Sequence, residues 1–286
     1  MRLARDCHPA VRAVLVDKLA FIQTKSELGW QLFDAAFKDA DERVWVHGAD
    51  TLYYATGKQF ARAKPYLDRM ESSSVTKVRN AWGRLVALAV LGGQIARDEL
   101  LEKLIAGANP DAWDGAVMVW VANADNHEFA AECLSCLQEA AGHAVARQAL
   151  LRQLGRLFRS NKPIVKVPLD LFRAVYMGSG DGGLVVRNLP PLLGDWLCRF
   201  VEIEPDEALE IAEIAANFSK TRGSSSFNDH SQLGTLLTSL FREAEERERS
   251  DNGAMLARVI SLQDVFLSMS PSDLSDWLHA SERPGQ

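Results

Sequence analysis

The chain has 286 residues, of which 47% are hydrophobic and 24% charged, and a formal net charge of −6. That apolar share supports a sizeable core and excludes a disordered chain, within one large or two small domains. The acidic balance argues against a global attraction to nucleic acid or anionic lipid, leaving only local patches.

The start, Met1 to Pro9, has no apolar run of signal-peptide length. No stretch reaches the ~18 uncharged apolar residues of a membrane span. The nearest, Leu85 to Ile95, is short and flanked by charge. The four cysteines, Cys7, Cys133, Cys136 and Cys198, are too sparse for a disulfide framework. A cytoplasmic protein without membrane contact is expected. A helical repeat begins almost at once, which fits a piece of a longer protein or an array that starts abruptly.

In chain order, the segment Pro9-Ala10-Val11-Arg12-Ala13-Val14-Leu15 opens an apolar helix. Similar openings recur around Val44, Val78, Trp113 and Val145, so the anchors step by 33, 34, 35 and 32 residues. Between anchors lies a second helical segment each time: Glu27–Phe37, Gln59–Met70, Asp98–Ile105 and Glu128–Ala140. Each carries a helical apolar stripe, such as Leu28, Leu32, Ala35 and Ala36, or Phe129, Cys133, Cys136 and Leu137. One helix pair cannot bury its apolar face alone, so stacking of pairs is expected to build a continuous core.

The form His8-Pro9-Ala10-Val11-Arg12, echoed in Asp41-Glu42-Arg43-Val44, resembles HEAT repeats over about residues 8–160. The resemblance implies an all-α fold: a HEAT-like right-handed α-solenoid of helix hairpins, with a less regular C-terminal helical bundle. The period is shorter than the ~40 residues of standard HEAT units. The tetratricopeptide and ankyrin patterns are absent.

Beyond Phe158 the rhythm fails. Asn161-Lys162-Pro163, Val167-Pro168, Gly178-Ser179-Gly180-Asp181-Gly182-Gly183 and Pro190-Pro191 are loop material. The expected organisation is therefore helical repeats over 1–160, an irregular connection over 161–191 with one helix at Leu169–Tyr176, and further helices over 192–286. These are Leu192–Ile203, Asp206–Phe218, His230–Arg249 and Gly253–Met269, with a Ser-rich loop at Ser219–Asp229. A short last helix starts at Pro271, with Ser270 as N-cap.

This order of helices, ending in Asp273-Leu274-Ser275-Asp276-Trp277-Leu278, resembles the C-terminal helical-repeat region of prokaryotic STAND-type NTPases, anti-phage sensors among them. In that class a repeat array recognises the trigger. The resemblance implies a non-enzymatic sensor or scaffold module without its ATPase, and the chain has no Walker A sequence.

Isolated chemical motifs read as structural. Gly178–Gly183 matches G-x-G-x-x-G formally, but no βαβ context surrounds it, so a loop is expected. Cys133-Leu134-Ser135-Cys136 lacks a second pair for zinc and falls on an apolar stripe, so core packing is expected. None of the six histidines stands at a ligand spacing; His8, His127 and His143 suit helix starts. No metal, cofactor or catalytic residue is assigned. Among the seven tryptophans, Trp113 with Asp114 and Trp120 invite comparison with HEAT-like DNA glycosylases, which grip a damaged nucleotide with aromatic residues and a carboxylate. Trp45 and Trp82 neighbour repeat anchors, which points to core packing instead.

Charge gives the functional hint. From Arg147 to Arg173 seven cations face one acid, and from Lys58 to Arg84 seven face two. From Glu202 to Asp251 twelve acids face five cations. Arg152, Arg156 and Arg159 are spaced i, i+4, i+7 and would share a helix face, and Lys162 and Lys166 follow in the connection. These five are the candidate partner-binding residues. An acidic protein partner is the leading expectation; a nucleic-acid partner on the same basic stripes, with or without DNA repair, is the alternative. A structural array that dimerises is the third reading. Solvation of outer faces, or pairing with acids of the next repeat, would account for the same charges without a partner.

Overall fold

The computed structural model describes residues 1–20, 22–23, 25–38, 41–158, 164–177, 189–222 and 230–269. The described residues are all-α, with no strand among them and no helix long and apolar enough to cross a membrane. They form two compact units. The first is Met1–Asn123 with Ala131–Cys136; the second is Ala124–Ala130 with the described part of Leu137–Gln286.

In the first unit, local chemistry sets each helix start. A 3-10 turn at Leu3–Arg5 leads to α1 (Pro9–Lys18), which has Pro9 in its first turn, where no N–H is needed. His8 caps it, Nδ1 accepting from the N–H of Ala10 at 3.3 Å. Ser26 Oγ caps α2 (Glu27–Ala36) by accepting from the N–H of Gly29 at 3.2 Å. Asp41 caps α3 (Glu42–Lys58), accepting from the N–H of Arg43 at 2.9 Å. Only Gln59 separates α3 from α4 (Phe60–Glu71). Then follow α5 (Thr76–Leu91), α6 (Arg97–Gly107) and α7 (Pro110–Asn123). Asn109 Oδ1 accepts from the N–H groups of Asp111 and Ala112 at the start of α7.

The odd-numbered helices pack in succession, α1 on α3, α3 on α5 and α5 on α7. The even-numbered helices lie beside them: α2 on α1, α4 on α3 and α5, and α6 on α5. Large rings fill the space between. Phe37 touches Phe33 at 4.4 Å and Trp45 at 4.6 Å between centroids, and Tyr66 closes the cluster. Burying rings of this size dominates core energetics. Polar contacts between successive hairpins keep one period. Glu27 with Arg62, Asp34 with Tyr66, Glu42 with Ser74, Glu71 with Lys103, Arg79 with Asp111 and Asn80 with Asp114 are all 32–35 residues apart. The anchor residues of the sequence have the same step.

In the second unit the alternation continues. The division between units falls within α8 (Ala130–Ala141). After it come α9 (Ala144–Gln153), a 3-10 turn at Leu154–Arg156, α10 (Leu169–Met177), α11 (Leu189–Phe200), α12 (Pro205–Arg222), α13 (His230–Asp251) and α14 (Ala254–Met269). Helices α10, α12 and α14 pack in succession, and α11 packs on α12 and α13. Phe158, Phe172, Trp196 and Phe200 stack at their centre, with Trp196 and Phe200 centroids 4.5 Å apart.

Three sequence expectations change. Pro190 and Pro191 are not loop: they stand in the first turn of α11, where proline's fixed φ and missing N–H are no cost. Helix α12 runs four residues past Phe218, to Arg222, because no glycine or proline intervenes before Gly223. The helix expected to carry Arg152, Arg156 and Arg159 on one face ends at Gln153. The expected glycine loop at 178–183 and the last helix from Pro271 lie outside the described residues.

Candidate recognition surface

The basic segment of the second unit is divided by how the chain turns. Arg152 is exposed on α9, and Arg156 is exposed in the 3-10 turn that follows. Arg152 and Arg156 therefore do not share one continuous α-helix, and Leu154, Leu157 and Phe158 around the turn are buried. Arg159 and Lys162 lie outside the described residues. Lys166 is exposed in a non-helical stretch, yet its Nζ lies 2.9 Å from both Glu204 and Glu207. Hydrogen bonds to these two carboxylates push its ammonium above the usual lysine range.

Most of the acids that answer belong to α12 or the residue before it, with Asp170 of α10 and Glu243 of α13 beside them. Arg173 bonds Glu210 and, at 3.1 Å, Asp170. Arg247 reaches Asp206 at 2.9 Å and Glu243 at 2.7 Å. Arg258 grips Glu213 through Nε at 3.0 Å and Nη2 at 2.8 Å. The charge polarity of the sequence thus folds back on itself within this unit. Part of the basic stretch neutralises the acidic one, and Arg152 and Arg156 stand exposed before it in the chain.

In the first unit three of the seven Lys58–Arg84 cations are also paired with acids. Arg62 pairs with Glu27 at 2.6 Å, Lys64 with Asp68 at 3.0 Å, and Arg79 with Asp111 at 3.1 Å. Lys103, from α6, pairs with Glu71 at 2.9 Å. Arg69 differs. Its guanidinium stacks 4.9 Å over the ring of Trp45, beside a cleft of about 200 Å³ lined by Glu42, Trp45, Arg69, Ser72 and Ser73. Sequence reasoning counted Arg69 in the basic stretch but missed the cleft, since nothing in the spacing aligns the end of α4 with the start of α3. It also passed over Tyr53 and Tyr54, exposed on α3 with ring centroids 5.4 Å apart. Two consecutive aromatics cannot both enter one face of a helix, and that was the available signal.

The remaining motifs pack. Trp113 and Trp120 are buried against each other, centroids 6.5 Å apart, so neither presents a ring to a nucleotide. Cys133 and Cys136 are fully buried, and burial pushes both thiols up to about 12. His8 is a cap. No protein-family model, curated protein or solved structure matches the chain.

Proposed function

We propose that the chain is a non-enzymatic recognition and scaffold module, each unit a stretch of HEAT-like α-solenoid. On the resemblance in helix order, it serves as the sensing part of a prokaryotic signalling NTPase of the anti-phage kind. The observation that carries the reading is that polar contacts join each hairpin to the one that follows it. Those named in the first unit span 32–35 residues, with Arg97–Ser135 at 38, and those in the second span 37–45, from Arg173–Glu210 and Lys166–Glu204 to Arg247–Asp206 and Arg258–Glu213. Contacts limited to neighbouring hairpins characterise repeat arrays, whose use is an extended binding surface. Recognition rests on exposed cations of the basic stretch, Arg152 and Arg156 among them, and the partner is an acidic protein surface.

The test is a pull-down with the tagged chain from a bacterial lysate, with and without nuclease, at two salt concentrations. The double variant Arg152→Glu/Arg156→Glu is run alongside. A protein that survives nuclease and is lost in the double variant supports the reading. Nucleic acid that elutes with salt, leaving no protein after nuclease, overturns it, because phosphate binding is the steeply salt-dependent mode.

A further inference from the structure

We propose that the cleft beside Trp45 and Arg69 is a seat for the carboxylate of an acidic peptide segment. This names a partner chemistry for the recognition reading and rests on it. The first unit contains its own template. Arg62 stacks 4.7 Å over Trp30 and donates through Nη1 and Nη2 to the two oxygens of Glu27, each at 2.6 Å. One aromatic face holds the guanidinium plane, and its in-plane N–H groups form a fork that a carboxylate fills.

Arg69 repeats the first half of that arrangement on Trp45. Among the described residues no carboxylate supplies the second half. Stacking fixes the guanidinium and leaves its edge donors unmatched, while the adjoining cleft of about 200 Å³ has room for an acidic side chain with part of its backbone. The other lining groups refine the chemistry. Ser73 Oγ accepts from the N–H of Val75 at 3.2 Å, so its own hydroxyl hydrogen is left to donate. Glu42 holds the opposite rim and accepts from Ser74 Oγ at 2.6 Å. Its carboxylate repels a dense polyanion such as a phosphate backbone more strongly than the single charge of one acidic side chain. It accepts from a ligand that brings N–H donors beside its acid, which is what a peptide does.

The experiment is an NMR titration of the full chain, following the Arg69 side-chain Nε–H and the tryptophan indole N–H signals. The probes are an end-blocked Gly-Gly-Glu-Gly-Gly peptide, its glutamine counterpart and inorganic phosphate. The glutamate peptide is expected to shift the Arg69 signal saturably. The glutamine peptide binds at least about tenfold more weakly, having lost the charge-assisted fork. Phosphate produces no saturable shift. In Arg69→Ala the indole response to the glutamate peptide disappears, and Arg69→Lys, which keeps the charge but not the fork, retains a fraction of it. A response equal for both peptides, or unchanged in Arg69→Ala, overturns the proposal, as does the absence of any saturable response in a variant and wild type that unfold alike. The lysate pull-down separates the two readings. A protein partner that Arg69→Ala still captures fully sinks the cleft and spares the recognition module. Failure to capture any protein sinks the module, while the titration still decides the cleft.

Discussion

Gly83 of α5 and Gly115 of α7 lie where the backbones of the two helices meet. A Cβ on Gly83 would lie 2.0 Å from the carbonyl oxygen of Ala112, and one on Gly115 would lie 2.0 Å from that of Asn80. Backbone, rather than a flexible side chain, meets each added carbon, so the helices would have to move apart. That would also stretch the Asn80–Asp114 hydrogen bond, now 3.1 Å. In an unconstrained helix, glycine to alanine stabilises by roughly 1 kcal/mol. Here Gly83→Ala and Gly115→Ala are each expected to destabilise by about 1–3 kcal/mol through overpacking. The double variant should lose less than the sum, since one separation relieves both clashes. Urea unfolding measures this, and a stabilised single variant would refute the close approach.

The four cysteines should separate by reactivity. Cys7 is exposed, while Cys133 and Cys136 are buried in α8 with thiols pushed up to about 12, and Cys198 is pushed up to about 11. Burial is the main cause in each, because it disfavours the thiolate. At pH 8 a thiol reagent should therefore label Cys7 in the folded protein and leave Cys133 and Cys136 unlabelled until denaturant is added. The pH dependence follows from the same direction. The unfolded thiols ionise near 9 and the folded ones near 12. Their contribution to stability is whole below pH 9 and is lost as pH rises toward 12. A Cys133→Ala/Cys136→Ala variant should show a shallower fall in stability over that window than the parent chain. An identical fall would place the titration elsewhere.

The helices were legible because their apolar period is local. The segments read as Glu27–Phe37, Gln59–Met70 and Asp98–Ile105 became α2, α4 and α6 with ends moved by no more than two residues. The anchors Val44, Val78 and Trp113 are buried as their recurrence implies, while Val11 and Val145 are only half-buried. Charge was read far less well. A count of cations along Arg147–Arg173 cannot show that Lys166 and Arg173 meet acids 37–38 residues later, because that pairing depends on how hairpins stack. The face drawn through Arg152, Arg156 and Arg159 assumed a continuous α-helix. Helix α9 ends at Gln153 instead, and a 3-10 turn that buries Leu154 carries Arg156. The Trp45–Arg69 cleft joins residues of two helices and leaves no trace in spacing.

The ion pairs on α12 should differ in worth according to geometry. Arg173 and its partners are solvent-facing, and Arg173→Ala should leave the unfolding midpoint within error, as expected of exposed pairs. Arg258 is about as exposed but holds Glu213 in a two-pronged contact, through Nε and Nη2 to the two carboxylate oxygens. Arg258→Ala is expected to cost up to about 1 kcal/mol at low salt. In 1 M salt, where the Debye length falls to ~3 Å, the difference between the two variants should narrow. Equal effects at both salt concentrations would mean that packing of the arginine stem, rather than charge, sets the cost.

At the end of α6 the glycine stands one residue too early. Gly107 is the last helical residue, whereas Ala108 takes the left-handed conformation at φ 43° and ψ 34°. Its N–H bonds the carbonyls of Leu104 and Ile105 at 3.1 and 3.2 Å, which closes the helix in the manner glycine usually serves. A Cβ in that conformation costs roughly 1–2 kcal/mol, offset in part by the greater unfolded-state freedom that glycine would bring. Ala108→Gly should therefore stabilise by about 0.5–1 kcal/mol. Gly107→Ala meets nothing within 4 Å, so it should add a similar amount by helix propensity. The exchanged pair Gly107→Ala/Ala108→Gly keeps composition constant and isolates position as the variable. Its urea midpoint should exceed that of the parent chain, and a lower midpoint would show that the left-handed alanine is not the source of strain.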